Sequence, residues 1–137
     1  DLAPESLGVI VETCVSHGVE ALLVSNTTIA RDATLRSAAR AEAGGLSGRP
    51  LFAPSTEVLR RVYPLARGRR ALIGCGGVED GATAYAKLRA GASVVQLYTA
   101  LAYEGPALVG RIKRELAALL ARDGFAAAHA AVGADHR

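Results

Sequence analysis

The sequence has little of what several common protein classes require. Its 137 residues include no methionine, no tryptophan and only two cysteines. Cys14 and Cys75 stand alone, without the paired spacing of a zinc site, so they are predicted to be reduced, buried small hydrophobes in a cytoplasmic setting. The histidines, His17, His129 and His136, have no metal-ligand spacing and are predicted to lie on the surface. No metal site is expected.

Long apolar runs and concentrated charge are also missing. No run approaches the roughly 18 apolar residues of a membrane span, and the start has no signal-like basic region. The formal net charge is +3, but the basic residues are scattered, with no aromatic residues between them. We therefore expect this part of the protein to be soluble and to have no nucleic-acid partner. Because the chain starts at Asp1 without an initiator methionine, an N-terminal part is expected to be missing.

What the sequence does contain is an alternation of helical spacing and short, continuous apolar runs. Helices are predicted over residues 5–17, 55–68, 80–91 and 105–124, and strands over residues 21–25, 71–74 and 94–98. Ser55 and Asp80 are the predicted caps of the second and third helices, and Pro64 is predicted to kink or shorten the end of the second. Continuous apolar strands favour a parallel sheet covered on both faces.

This order predicts an α/β protein made of about three βα units. An eight-stranded TIM barrel needs about 250 residues, so the chain is expected to be a C-terminal segment of such a barrel, unless it forms a small open sheet. Residues 29–54 have no convincing period and are long for a connection, which predicts an ordered loop over a site. Its three glycines at positions 44, 45 and 48 would allow close packing against a flat ring.

Two pairs of residues after the later strands predict a phosphate site. Gly76-Gly77 follows the second strand and allows backbone amides to approach an anion, while Tyr98-Thr99 ends the third with further amides and a hydroxyl. In barrels, these strand ends often hold phosphate groups. The alternative interpretation of the glycine pair is an ordinary tight turn.

The first strand ends in Asn26 and Thr27, whose side chains would point toward the same edge of the sheet. A carboxamide carries one donor and one acceptor group and can pair with the imide or amide edge of a planar substrate. The alternative is that both residues only terminate the strand through local hydrogen bonds to the backbone.

Four segments resemble consecutive signatures of quinone-dependent (class 2) dihydroorotate dehydrogenases, and the C-terminal residues 133–137 are similar to the end of that family. They are residues 24–31 (VSNTTIAR), 44–51 (GGLSGRPL), 73–78 (IGCGGV) and 90–101 (AGASVVQLYTAL). The resemblance implies that residues 1–137 are the C-terminal part of one FMN-binding barrel domain. It implies an enzyme that oxidises dihydroorotate to orotate in pyrimidine biosynthesis and passes electrons through FMN to a quinone.

The resemblance also implies residue roles. Asn26 and Thr27 would bind the pyrimidine, whereas Ser25, Gly48 and Gly77 would contact FMN. Tyr98 and Thr99 would help to hold the FMN phosphate. Ser25 departs from the commoner threonine but keeps the hydroxyl.

The catalytic serine base, the flavin-contacting lysine and the helices of the quinone tunnel would lie upstream, so no catalytic residue is expected in this chain. The whole enzyme would be peripheral, on the cytoplasmic side of a membrane.

Two alternatives remain at this stage. One is another FMN barrel enzyme, including class 1 dihydroorotate dehydrogenase, although residues 26–31 and 134–137 argue against it. The other is a non-catalytic half-barrel that binds a phosphate ligand and covers its open edges by dimerising.

Overall fold

A three-stranded parallel sheet lies at the centre of the computed structural model, which describes residues 1–66 and 68–137. The strands are β1 (Ala21–Val24), β2 (Ala71–Cys75) and β3 (Val94–Gln96), in spatial order β1-β2-β3. The helices are α1 (Ser6–Ser16), α2 (Phe52–Ala66), α3 (Gly81–Arg89), α4 (Thr99–Glu104) and α5 (Ala107–Arg122). The predicted α/β architecture with a parallel sheet is therefore confirmed. The predicted strands of residues 21–25 and 94–98 are each shorter in the structure.

The start of α2 differs from the prediction, whereas the start of α3 agrees with it. Asp80 caps α3 through a hydrogen bond from the Thr83 N–H to Asp80 Oδ1 of 2.7 Å, and the Thr83 hydroxyl completes a capping box. Ser55 was expected to cap α2, but the helix begins at Phe52, directly after a 3₁₀ turn at Arg49–Leu51. Ser55 is instead buried inside the first turn, and its hydroxyl makes tertiary contacts.

The hydrophobic core lies on one side of the sheet. Its main cluster joins α1 and α2 to the strands, with Leu59 and Leu72 at its centre. A second cluster joins α3 and α5 and includes Ala84 and Leu108. In the described part of the chain, no helix is long and apolar enough to cross a membrane.

The prediction that both faces of the sheet are covered is wrong, because the face opposite the core is exposed. Leu23, Ile73 and Val94 are neighbours across the three strands, and Leu23 and Val94 are 48% and 56% exposed. The reason is that α1, α2 and α3 pack on the side of Val24 and Leu72. In a closed barrel, the exposed row would face the interior.

Both cysteines also differ from the expectation of burial. Cys14 and Cys75 are free thiols of intermediate exposure. Cys14 lies near the end of α1, and Cys75 is the last residue of β2, where the sheet opens. The three histidines are exposed, as predicted.

Candidate functional site

The carboxyl ends of the three strands open into one cleft of about 450 Å³. Its lining includes all seven residues that the sequence predicted for the site: Ser25, Asn26, Thr27, Gly48, Gly77, Tyr98 and Thr99. A cleft of this volume is within the range of small-molecule and cofactor pockets, roughly 300 to 1,000 Å³. The fold therefore brings together residues that are up to 74 positions apart in the sequence.

The end of β1 supplies a carboxamide that is only partly used by the chain itself. Asn26 Oδ1 accepts a hydrogen bond of 2.8 Å from the Thr27 N–H, so the predicted alternative of a local strand-ending bond holds for this oxygen. Among the described residues, the Asn26 Nδ2 group has no acceptor. Asn26 can therefore donate into the cleft from its nitrogen.

The long loop after β1 is held in place by backbone hydrogen bonds and one arginine. Thr28 and Leu46 form an antiparallel bridge with N···O distances of 2.8 and 3.2 Å. The Arg31 guanidinium donates to five backbone carbonyls at 2.7 to 3.2 Å: those of Thr28, Ala30, Arg40, Glu42 and Gly44. These bonds explain why the predicted loop is ordered although almost none of it is buried.

The glycine-containing end of this loop contacts Thr27 after β1 and Thr99 at the start of α4. A Cβ atom on Gly45 would lie 1.9 Å from Thr27 Oγ1, so the loop backbone packs directly on Thr27. Farther along, the Thr99 hydroxyl donates to Ser47 Oγ at 3.0 Å. Ser47 was not predicted as a site residue, because its partner is 52 positions away in the sequence.

The turn after β2 has the geometry of an anion-binding site. Gly77 has φ +71°, and a Cβ on it would lie 2.4 Å from the Cβ of Phe52 and 2.5 Å from its backbone nitrogen. The N–H groups of Gly77 and Val78 donate to no acceptor in the described part of the chain. Unpaired backbone amides beside a cleft are a common anion-binding arrangement, so the phosphate site stays the prediction for this turn.

Two exposed aromatic side chains follow β3, one just before α4 and one within it. Tyr98 and Tyr103 line the cleft with exposures of 79% and 87%. An ion pair also lines the cleft, where Arg49 Nε is 2.8 Å from Glu79 Oε1. The sequence had no signal for Tyr103 or for this pair, since the place of Tyr103 depends on how α4 packs and that of the pair on how the loop packs against the turn after β2.

A buried cation lies directly behind the turn. Lys87 of α3 is 0% exposed, and burial lowers the pKa of its ammonium group to about 8. Cys75, which the sequence suggested was a core residue, lines the cleft with its neighbours Gly76 and Gly77. Neither Lys87 nor Ser55 was predicted to take part in the site.

A comparison with protein families finds a match to the model described as dihydroorotate dehydrogenase over residues 1–120. Curated relatives cover the whole chain. A Rhodospirillum rubrum protein named dihydroorotate dehydrogenase (quinone) is 53% identical over 137 residues. An Arabidopsis thaliana protein with the same name, designated mitochondrial, is 52% identical over 138 residues. The chain spans 37% and 30% of the lengths of these two relatives.

Among solved structures, the chain is similar to DHODH from Eimeria tenella, both in complex with ferulenol and in a ligand-free form. Each comparison gives a TM-score of 0.95 and 43% identity over the whole chain, which spans 36% and 38% of the two solved chains. This agreement confirms that the three βα units are a segment of the TIM-barrel fold of those enzymes.

Proposed function

Since the chain belongs to the dihydroorotate dehydrogenase family, we propose that it supplies the FMN-phosphate and pyrimidine-binding part of an enzyme that oxidises (S)-dihydroorotate to orotate with a quinone as acceptor, in the biosynthesis of UMP. Residues 1–137 would be part of one FMN-binding barrel domain. The observation that carries this proposal is the convergence of all seven predicted residues on one cleft. An open sheet that merely ended its strands with polar residues would not require Gly45 and Gly77 to pack without side chains.

The turn after β2 fits the phosphate of FMN. The unpaired N–H groups of Gly77 and Val78 would donate to phosphate oxygens, and the Thr99 hydroxyl would add a donor from the start of α4 by turning from Ser47 Oγ to the phosphate. A Cβ at Gly77 would fill this space by meeting Phe52, so the close backbone approach is built into the fold. Tyr98 would cover the phosphate, while Gly48 and Ser25 flank the space left for the ring.

The pyrimidine would bind at the β1 end of the cleft. Asn26 Nδ2 would donate to a substrate carbonyl or carboxylate oxygen, and the Thr27 hydroxyl would give a second contact. Gly45 holds Thr27 in position by packing against it. When bound, FMN would supply the two-electron acceptor for the C–C bond that is oxidised. The role of the chain is to orient the substrate, and we assign no catalytic base to its residues.

The proposal that a quinone is the electron acceptor is supported by the names of the relatives. Proteins 51% to 56% identical to the chain are named dihydroorotate dehydrogenase (quinone). We propose that the whole enzyme uses a quinone as acceptor and is peripheral, on the cytoplasmic side of a membrane. We propose no nucleic-acid partner. A class 1 enzyme would use fumarate or NAD in place of the quinone.

The test uses the purified full-length enzyme of which residues 1–137 are a part, with its FMN content measured by absorbance, and compares quinone with fumarate and NAD as acceptors. We expect FMN binding and turnover with quinone only. Replacing Asn26→Ala should weaken orotate binding about tenfold, because a charge-assisted hydrogen bond is lost, and should leave FMN affinity unchanged. Thr34→Ala is the control, because Thr34 is exposed in the same loop and its side chain bonds to Asp32, and neither residue lines the cleft. Turnover with fumarate and none with quinone would overturn the choice of acceptor.

A further inference from the structure

Lys87 is a buried cation without a carboxylate partner. Its side chain is 0% exposed, and none of the ion pairs of the described residues includes it. Its Nζ atom donates to Ser55 Oγ at 2.6 Å and to the Cys75 carbonyl at 3.2 Å, and lies 5.4 Å from the centre of the Phe52 ring. Burial of an unpaired charge is costly, so its position calls for a compensating interaction.

The hydrogen bonds of Lys87 lead directly to the turn that lines the cleft. Ser55 Oγ accepts from Lys87 and lies 3.2 Å from both the Gly76 and the Phe52 carbonyls, between which its hydroxyl shares one proton. Because a trans peptide group points its C=O and the following N–H in opposite directions, the contact with the Gly76 carbonyl turns the Gly77 N–H away from Ser55 and toward the cleft. The same reasoning applies to the Cys75 carbonyl and the Gly76 N–H.

The charged and titratable groups around Lys87 do not neutralise it. Arg60 of α2 repels the ammonium, the Cys75 thiol of β2 favours it, and α2 also contributes the Phe52 ring and the Ser55 hydroxyl. The result of burial is a pKa of about 8, so the proton is held near neutral pH but is easily lost in mild alkali. A dianion bound on the other side of the turn would favour the protonated form.

We propose that Lys87 is a positioning residue of the phosphate cradle, which holds the Ser55–Gly76 contact in place and makes the turn select a dianionic phosphate monoester over its uncharged analogue. This inference rests on the proposed function, since it assigns the charge of the phosphate to this turn. It adds a residue that does not line the cleft but acts through Ser55 and the backbone.

The first test compares the affinities of the protein for FMN and riboflavin, which share the ring system and differ by the phosphate. Their ratio cancels contacts to the ring and reports only on the phosphate. The substitution Lys87→Met keeps the length of the side chain and removes its charge, and it should reduce the FMN to riboflavin ratio about tenfold at pH 7. Lys113→Met is the matched control, because it removes the same charge from an exposed position on α5 and should leave the ratio unchanged.

The second measurement needs no substitution, so it holds even if the Met variant does not fold. The phosphate of FMN is a dianion above a pKa of about 6, so a change of the ratio between pH 7 and 9.5 reports a group of the protein. We expect the ratio in the parent protein to fall as the pH rises beyond about 8, because Lys87 loses its proton.

Each outcome has one meaning. A parent protein that binds FMN no more tightly than riboflavin overturns the proposed phosphate site and this inference with it. A preference for FMN that is constant from pH 7 to 9.5, or that survives in a folded Lys87→Met variant, overturns the role of Lys87 alone.

Discussion

The two sides of the cleft are built differently. The turn after β2 rests on side chains that are almost completely buried, including Leu59, Ser55 and Lys87. The segment of residues 26–46, which forms the pyrimidine side, has only one buried residue, Thr28, and is held by polar contacts of the backbone and Arg31. The phosphate side therefore takes its shape from the core, while the pyrimidine side takes it from hydrogen bonds that water can compete for.

This difference suggests that the two sides of the cleft have separate roles. Close packing makes the phosphate turn rigid, because any added atom must displace a neighbour. A loop with few buried contacts opens at low free-energy cost and can admit and release a substrate. We therefore expect changes on the phosphate side to affect stability and cofactor binding together, and changes on the pyrimidine side to affect substrate binding with little loss of stability.

The largest effect should come from Gly77→Ala on the phosphate side. The new Cβ would meet the Phe52 backbone at 2.5 Å in a residue with φ +71°, so the free energy of unfolding should fall by about 3 kcal/mol or more and FMN binding should be lost. Urea denaturation measures the free energy of unfolding, and flavin absorbance measures FMN binding. Gly124→Ala is the control, since Gly124 has φ +76° with no atom near its Cβ position and should cost only about 1 kcal/mol. Equal losses for the two variants would show that the turn is not tightly packed.

The next effect should come from Arg31→Lys on the pyrimidine side. Lysine keeps the charge but cannot reach five carbonyls, so the loop should loosen and orotate affinity should fall about tenfold while FMN affinity stays the same. Calorimetry measures the affinities, and hydrogen exchange of residues 38–46 should become faster. The matched control is Arg36→Lys in the same loop, because the Arg36 side chain makes no hydrogen bond within the described chain. An equal loss of FMN affinity would contradict the separation of the two sides.

A smaller effect is expected from Gly45→Ala, which places a methyl group against Thr27 Oγ1. Because the loop is exposed and can shift, the free energy of unfolding should fall by only about 1 kcal/mol, with weaker orotate binding. The double variant with Thr27→Ala removes the contact to Oγ1 but leaves the Cβ of residue 27 at 2.5 Å from the new methyl group, so the added cost to stability of Gly45→Ala should become smaller in that background. Persistence of the full cost would mean that the two residues do not touch.

The smallest effect concerns Asp123, which lies outside the cleft and supports the phosphate side from behind. Hydrogen bonds from Arg122 and then Tyr85 lower the pKa of the Asp123 carboxyl from 3.8 to about 2, and Tyr85 belongs to α3, the helix of Lys87. Since the folded-state pKa is the lower one, the contribution to stability is complete above about pH 4 and is lost as the pH falls toward 2.

The measurement for Asp123 is thermal unfolding of the parent and of Asp123→Asn between pH 2 and 7. The parent should unfold at a higher temperature at pH 7, and the difference should shrink between pH 4 and 2. A difference that is independent of pH would contradict the role of the ionised carboxylate. Orotate affinity at pH 7 should not change, because the pyrimidine side does not contact this residue.

Some site residues could be predicted and others could not, for a physical reason. Asn26, Gly77 and Thr99 follow strands directly, and parallel strands bring their carboxyl ends to one edge, so sequence position alone indicates where they lie. Ser47, Glu79 and Tyr103 are in segments whose paths depend on packing. The misplaced start of α2 at Ser55 has the same origin, because a good capping residue was used for a tertiary contact.

By itself, the sequence determined the order of helices and strands, the parallel sheet and the residues at the strand ends, because these follow from local spacing, glycine positions and apolar runs. Only the tertiary structure decided that the buried Lys87 is linked to Gly76 by the Ser55 hydroxyl, that Gly45 packs on Thr27, and that one sheet face stays exposed. These contacts join residues 18 to 50 positions apart, and no local pattern specifies which distant side chain fills a given space.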